Sequence, residues 1–154
     1  MLAQAQAGAP QKPSLTLKRR IKAAPAKVYR AWTDPAQIVA WWGPGNCEYL
    51  ASEIDLRIGG RFRIAFRTDV DGRSHEQHEV GGTYKEIVPD QRLVFSWNWL
   101  ATPERVSQVT VTLKPDGDGT LLTLFHEQLF DEDSKTRHTR GWTASLDKLE
   151  GLFV

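Results

Sequence analysis

The sequence predicts an α+β fold in which one long C-terminal helix packs against a curved antiparallel sheet. Six strand-like segments with short turns between them follow one another from Cys47 to Gln128, and short connections favour antiparallel pairing of successive strands. The last segment, Glu132–Val154, is typical of an amphipathic α-helix. Its apolar residues recur at steps of four, three and four: Trp142, Leu146, Leu149 and Phe153. A single helix with so wide an apolar face needs a surface to cover, and a curved sheet supplies one.

The N-terminal part of the chain predicts a tail, a first strand and two short helices. Residues 1–13 are rich in Ala, Gln, Gly and Pro, so we expect a flexible tail, followed by a single domain over residues 14–154. Pro25 and the pair Asp34-Pro35 each favour the start of a helix, because proline fits the first helical turn. The domain opens with an alternating segment that predicts a strand, Ser14–Lys22.

Turn residues divide the middle of the chain into strands. The pair Gly59-Gly60 predicts a two-residue hairpin turn with positive φ angles. The pair Gly81-Gly82 lies inside a long strand, where glycine often marks a bulge or a sharp bend. Further turns are expected at Asp71-Gly72, Pro89-Asp90, Thr102-Pro103 and Pro115–Gly119.

Composition restricts the class of protein. The chain has 154 residues, of which 40% are apolar and 25% are charged, which is ordinary for one soluble globular domain. A formal net charge of +1 argues against a dedicated binder of nucleic acid or of anionic membranes. The single cysteine, Cys47, allows no intrachain disulfide. The sequence has neither a secretion signal nor an apolar run of transmembrane length, so we expect a cytoplasmic protein.

The order of the elements and several short strings together resemble a known superfamily. The strings include Ile21-Lys22-Ala23, Asp34-Pro35, Trp41-Trp42-Gly43-Pro44, Gly82-Thr83-Tyr84-Lys85-Glu86-Ile87, Arg92–Trp97 and Gly141-Trp142. They resemble the START-like (SRPBCC) superfamily with the helix-grip fold. Within it, the chain is similar to the group named for the C-terminal domain of the activator of the heat-shock-protein ATPase. The resemblance runs from Leu15 to Phe153. It implies a deep cavity between the sheet and the C-terminal helix that holds apolar or amphipathic small molecules.

The aromatic residues of the strands are consistent with such a cavity. Six tryptophans are many for this length, and large aromatic side chains fill a volume poorly, whereas small-ligand pockets are mostly apolar with a few polar groups. The alternative, that these residues form an ordinary packed core, stays open. The residues expected to line the cavity are Trp42, Phe62, Phe95, Trp97, Trp99, Val109, Val111, Leu122, Leu124, His126, Trp142 and Leu146.

Histidines are the main candidates for chemistry. His126 shares a strand face with Leu122 and Leu124, so it either orients a ligand or acts as an acid or base there, or is a core histidine with a satisfied ring. His138 lies four residues before Trp142 and is expected near the same side of the helix. The string around His75 and His78 does not predict a metal site, because residues an odd number apart on a strand point to opposite faces. We therefore expect no metal and no cofactor.

Three functions stay open at this point. The first is the binding of an apolar small molecule in the cavity. The second is a cyclase, dehydratase or hydrolase activity that uses His126, and the third is an interaction module that acts on a chaperone ATPase. We expect neither a nucleic acid nor a membrane as a partner, and a homodimer is left open.

Overall fold

The computed structural model describes residues 11–44, 47–70 and 74–154, without the side chains of residues 69, 70, 74 and 75. Within these ranges a first strand is followed by two short helices, six strands and a long helix, as the sequence predicts. The elements are β1 (Leu15–Ile21), α1 (Pro25–Thr33), α2 (Pro35–Ile38), β2 (Cys47–Ile54), β3 (Arg61–Val70), β4 (Ser74–Val88), β5 (Arg92–Trp99), β6 (Ser107–Asp116), β7 (Gly119–Glu127) and α3 (Glu132–Leu152).

All seven strands form one antiparallel sheet in the order β1-β7-β6-β5-β4-β3-β2. Strands β2 to β7 pair with their neighbours in the chain, as short connections favour. The strand β1 closes the far edge by pairing with β7, with Leu15 opposite His126. One face of this sheet is apolar and lies against the helices, which is why buried positions alternate with half-buried ones along β7.

Local sequence signals set where the helices begin. Pro25 opens α1, and the Asp34 side chain accepts from the Ala36 N–H at 2.9 Å to cap α2. The Asp131 side chain accepts from the Ser134 N–H at 2.8 Å and caps α3, confirming the predicted start of that helix. Each cap satisfies a backbone donor that the helix itself leaves free.

The apolar face of the long helix α3 packs on the sheet, and ion pairs with β1 fix the position of the helix. Trp142, Leu146 and Leu149 are buried, as the spacing predicts. Arg19 of β1 forms ion pairs with Asp147 at 3.2 Å and with Glu150 at 3.0 Å. These ion pairs hold the C-terminal half of α3 beside β1, at the edge of the sheet. The N-terminal half of α3 lies over other strands.

The hairpin predicted at Gly59-Gly60 is wrong in detail, and the bulge of β4 lies beyond Gly81-Gly82. Residues 55–60 form a longer loop between β2 and β3, in which Gly59 has a φ of +84° and Gly60 has no positive φ. The register shift of β4 lies between Tyr84 and Glu86. Gly82 instead permits close contact between strands, since a Cβ there would lie 1.8 Å from the Ser96 carbonyl oxygen.

Some predictions fall on parts of the chain that are not described. Most of the expected tail, residues 1–10, and the Asp71-Gly72 turn lie outside the described residues, as does the side chain of His75. The backbone at Pro13 accepts a hydrogen bond from the Leu129 N–H at 3.0 Å, so the chain runs beside the loop before α3 from that point.

Candidate functional site

A cavity of about 840 Å³ lies between α3 and the part of the sheet formed by β3, β4, β5 and β6. Its wall is completed by the loop before β2, the β5–β6 loop and the loop before α3. Leu100 and Phe130 line it and are 64% and 48% exposed, so the cavity opens to solvent beside them. The large side chains along its wall are Trp42, Phe66, His78, Trp97, Trp99, Leu100, Arg105, Leu129, Phe130, Arg137, His138, Arg140 and Trp142.

The residues expected to line a cavity fall into three groups. Four are tryptophans on the wall of the large cavity: Trp42, Trp97, Trp99 and Trp142. Phe62 and Phe95 lie instead on a separate void of about 20 Å³, a volume no larger than about one water molecule needs. The others are buried and are not among the described lining residues of either volume: Val109, Val111, Leu122, Leu124, His126 and Leu146.

His138 connects the helix to two tryptophans of β5. Its Nε2 accepts from the indole N–H of Trp99 at 3.1 Å and, more weakly, from that of Trp97 at 3.4 Å. Its Nδ1 lies 2.7 Å from the carbonyl oxygen of Ser134, one helical turn earlier. An indole N–H can only donate, so the proton of the neutral ring is on Nδ1 and donates to that carbonyl.

His126 lies behind this layer and is fully buried. Its Nδ1 accepts from the indole N–H of Trp142 at 3.0 Å, so the ring proton is on Nε2. That Nε2 lies 2.7 Å from the Ser107 hydroxyl oxygen, which therefore accepts the proton. The Ser107 hydroxyl donates in turn to the Trp97 carbonyl oxygen at 3.2 Å. Every polar atom in this chain of hydrogen bonds has a partner.

Burial keeps the imidazole rings of His126 and His138 neutral. Burial, with a smaller contribution from the nearby His138, lowers the pKa of His126 to about 3. Burial also lowers the pKa of His138, although the Ser134 carbonyl opposes the shift. The two ring centroids are 5.0 Å apart, so charging either ring would disfavour charging the other. In this arrangement His126 cannot accept a proton from Ser107, because the nitrogen that faces Ser107 already carries one.

Small residues on α3 leave room for the cavity. Gly141 lies in the lining, and a Cβ added there would meet no heavy atom within 4 Å. Ala144 and Ser145 follow on the same side, and Ser145 accepts from the Gly43 N–H at 3.0 Å. That bond ties the loop after Trp42 to the helix, and so closes one end of the wall.

Sequence reasoning did not select several of the lining residues. Phe66 is two and four residues from Ile64 and Phe62 on β3, so the alternation that identified Phe62 could also have found it. Arg105 lies in the β5–β6 loop, where no periodic pattern applies. Arg137 and Arg140 lie on α3, off the apolar face on which the helix was recognised. Both are nevertheless among the residues that line the cavity.

The described residues bear on two other classes of site. None of the helices in residues 11–44, 47–70 and 74–154 is long and apolar enough to cross a membrane. Over the same ranges, no three His, Cys, Asp or Glu side chains lie close enough together to hold a metal ion.

An antiparallel seven-stranded sheet with one long C-terminal helix across it is the architecture of the START-like class, the helix-grip fold. Residues 22–154 match the family described as activator of Hsp90 ATPase homolog 1-like protein, and the chain belongs to that family.

Solved structures of similar proteins agree with this assignment. Protein CV1439 from Chromobacterium violaceum is 30% identical with a TM-score of 0.77, over 92% of this chain and 97% of that one. The AHSA1 protein from Silicibacter pomeroyi is 28% identical with a TM-score of 0.75, over 90% of this chain and 96% of that one. CalU16 from Micromonospora echinospora is 31% identical with a TM-score of 0.67, over 91% and 74%. A comparison with curated proteins gives no match.

Proposed function

We propose that this protein binds an apolar or amphipathic small molecule in the cavity beside Trp97, Trp99 and Trp142. The observation that carries the proposal is the cavity itself. Its volume of about 840 Å³ lies within the range of about 300–1,000 Å³ that is usual for small-ligand sites. Part of its wall consists of aromatic side chains on strands and on α3, which are rigid elements: Phe66, Trp97, Trp99 and Trp142.

The hydrogen bonds of the tryptophans support an apolar guest. The indole N–H groups of Trp97 and Trp99 point to His138, and that of Trp142 points to His126. Because these donors are already satisfied within the protein, a ligand that covers the rings leaves no buried donor without a partner. Burial of apolar ligand surface against the rings is then favourable without a compensating polar cost.

The same geometry favours binding over catalysis by His126. A cyclase, dehydratase or hydrolase would need a basic ring nitrogen directed at its substrate. The Nδ1 of His126 is occupied by Trp142, its Nε2 carries the proton, and its pKa of about 3 makes it a weak base. A catalytic role would therefore require His126 to break its bond with Trp142 first.

Binding can be tested with N-phenylnaphthylamine, a neutral dye whose fluorescence rises in apolar sites. We expect one dye molecule to bind per chain and Gly141→Leu to weaken binding by at least about tenfold, because the new side chain enters the cavity. Gly151→Leu is the matched control, since Gly151 is also helical with open space around it but is not in the cavity lining. Equal dye binding by both variants and the wild type would refute the proposal.

The family description supplies a second candidate, stimulation of an Hsp90 ATPase. The β2–β3 loop exposes Leu56 by 40% and Ile58 by 65%, which suits contact with a protein. If this candidate is right, the purified protein raises the ATPase rate of Hsp90, Ile58→Ser abolishes the effect, and Gly141→Leu keeps it. An unchanged ATPase rate with the wild-type protein would rule it out.

A further inference from the structure

Three arginines line the mouth of the large cavity. Arg105 comes from the β5–β6 loop, and Arg137 and Arg140 come from α3. Glu79 is the acidic side chain of the described lining, and its carboxylate already pairs with the Arg63 Nε at 3.0 Å. The cavity therefore carries a local excess of positive charge, although the whole chain has a formal net charge of only +1.

Arg105 is held in place with part of its guanidinium unsatisfied. Its guanidinium carbon lies 3.8 Å from the centroid of the Phe130 ring, a cation–π contact that fixes the side chain at the cavity wall. Its Nε is buried and has no hydrogen-bond partner among the described residues. The nearest carboxylate oxygen, on Glu104, is 3.6 Å away and so beyond hydrogen-bond distance. A buried donor without an acceptor is costly, and a ligand oxygen would relieve that cost.

The two helical arginines remain available to a ligand. The ion pair of Arg137 with Asp133, at 3.1 Å, has both side chains more than half exposed, and such surface pairs are weak. Arg140 forms no salt bridge within the described residues. Both side chains are exposed and line the cavity together with Gly141.

We infer that the cavity selects amphipathic molecules with an anionic head group, whose apolar body lies against the tryptophans and whose oxyanion meets the arginines at the mouth. This inference rests on the proposed function and adds the class of ligand. The planar guanidinium of arginine offers several donors that match the oxygens of a carboxylate or a phosphate. A neutral head group of the same size would leave the Arg105 donor poorly satisfied, and a cationic one would be repelled.

Matched decyl compounds test the inference by displacement of N-phenylnaphthylamine. We expect decanoate and decyl phosphate, below their micelle concentrations, to bind at least about tenfold more tightly than decanol. We expect decyltrimethylammonium to bind most weakly. The advantage of the anions over decanol should shrink as salt is added, because the arginines are partly exposed. Whichever anion binds more tightly identifies the head group as carboxylate or phosphate.

Substitution of the arginines tests whether they cause the preference for an anionic head group. Arg105→Gln together with Arg140→Gln should remove most of the advantage of decanoate over decanol. Arg57→Gln together with Arg61→Gln removes the same two charges at exposed positions outside the lining and should have no effect. If decanol and decanoate bind the wild type equally, the head-group inference is wrong and the cavity proposal stands. If none of the four compounds displaces the dye, the head-group inference is wrong, and the Gly141→Leu comparison still decides the cavity proposal.

Discussion

The buried His126 should make the protein sensitive to acid, and His126→Gln should reduce that sensitivity. The pKa of His126 is lowered from 6.5 to about 3 in the folded protein, chiefly by burial. Between these two values the unfolded chain binds a proton that the folded chain does not. The free energy of unfolding therefore falls as the pH falls below about 6.5, and it stops falling below about pH 3.

The size of the effect follows from the shift. A pH of about 5 is about 1.5 units below the ordinary pKa of a histidine, so the residue is protonated in the unfolded chain, while buried His126 in the folded protein is still neutral. Each pH unit below the unfolded pKa lowers the free energy of unfolding by about 1.4 kcal/mol. The wild-type protein should then lose about 2 kcal/mol of stability between about pH 7.5 and about pH 5 through this one group. Protonation of His138, whose pKa is also lowered, acts in the same direction.

The measurement is urea unfolding followed by far-ultraviolet circular dichroism at both pH values. His126→Gln should be less stable than the wild type near pH 7.5 by about 1–3 kcal/mol, since the hydrogen bonds to Trp142 and Ser107 are disturbed. It should lose about 2 kcal/mol less than the wild type on acidification. Equal acid losses in the two proteins would refute the assignment of a neutral, buried His126.

Three further substitutions test the packing around the site by urea unfolding at neutral pH. Gly141→Ala should raise the unfolding free energy by about 0.5–1 kcal/mol, because alanine favours a helix and its Cβ meets open space. Trp142→Phe should lower it by at least about 1 kcal/mol, because the Nδ1 of buried His126 loses its donor. Gly82→Ala should lower it by about 3 kcal/mol or more, because a Cβ would lie 1.8 Å from the Ser96 carbonyl oxygen.

Each of these substitutions has a result that would contradict its reasoning. A destabilised Gly141→Ala would mean that the helix face there is covered and not open. A fully stable Trp142→Phe would mean that His126 is satisfied by another group. Wild-type stability of Gly82→Ala would show that β4 and β5 can separate at that point without cost.

Much of the fold could be predicted from the sequence because the signals for its helices depend on neighbouring residues. The spacing of Trp142, Leu146 and Leu149 and the helix starts at Pro25 and Asp34-Pro35 each depend on a few neighbouring residues, and all were found in the structure. Turn geometry was harder, because it depends on contacts between distant strands. The hydrogen bonds between the Gly59–Gly60 backbone and Tyr84, at 2.8 and 2.9 Å, shape the β2–β3 loop and leave no trace in the local sequence.

The site was harder to predict from the sequence because its contacts also join residues that are distant in the chain. Alternation correctly placed His126 on the buried face of β7, but its partners Trp142 and Ser107 are 16 and 19 residues away in the chain. Alternation also does not tell which buried aromatic residues face empty space and which are packed. Phe62 lies over a void for about one water and Trp99 lines the large cavity, although both belong to the apolar rows of their strands.

The tryptophans allow the most direct test of the central claim, that a ligand occupies the large cavity. In nitrogen-15 nuclear magnetic resonance spectra each indole N–H gives its own signal, and dodecanoate can be titrated into the labelled protein. We expect large shifts for the cavity residues Trp42, Trp97, Trp99 and Trp142. We expect no shift for Trp41, which is fully buried elsewhere and donates to the Ala31 carbonyl at 3.0 Å. Unchanged signals from the four cavity tryptophans at saturating dodecanoate would show that no ligand occupies the cavity.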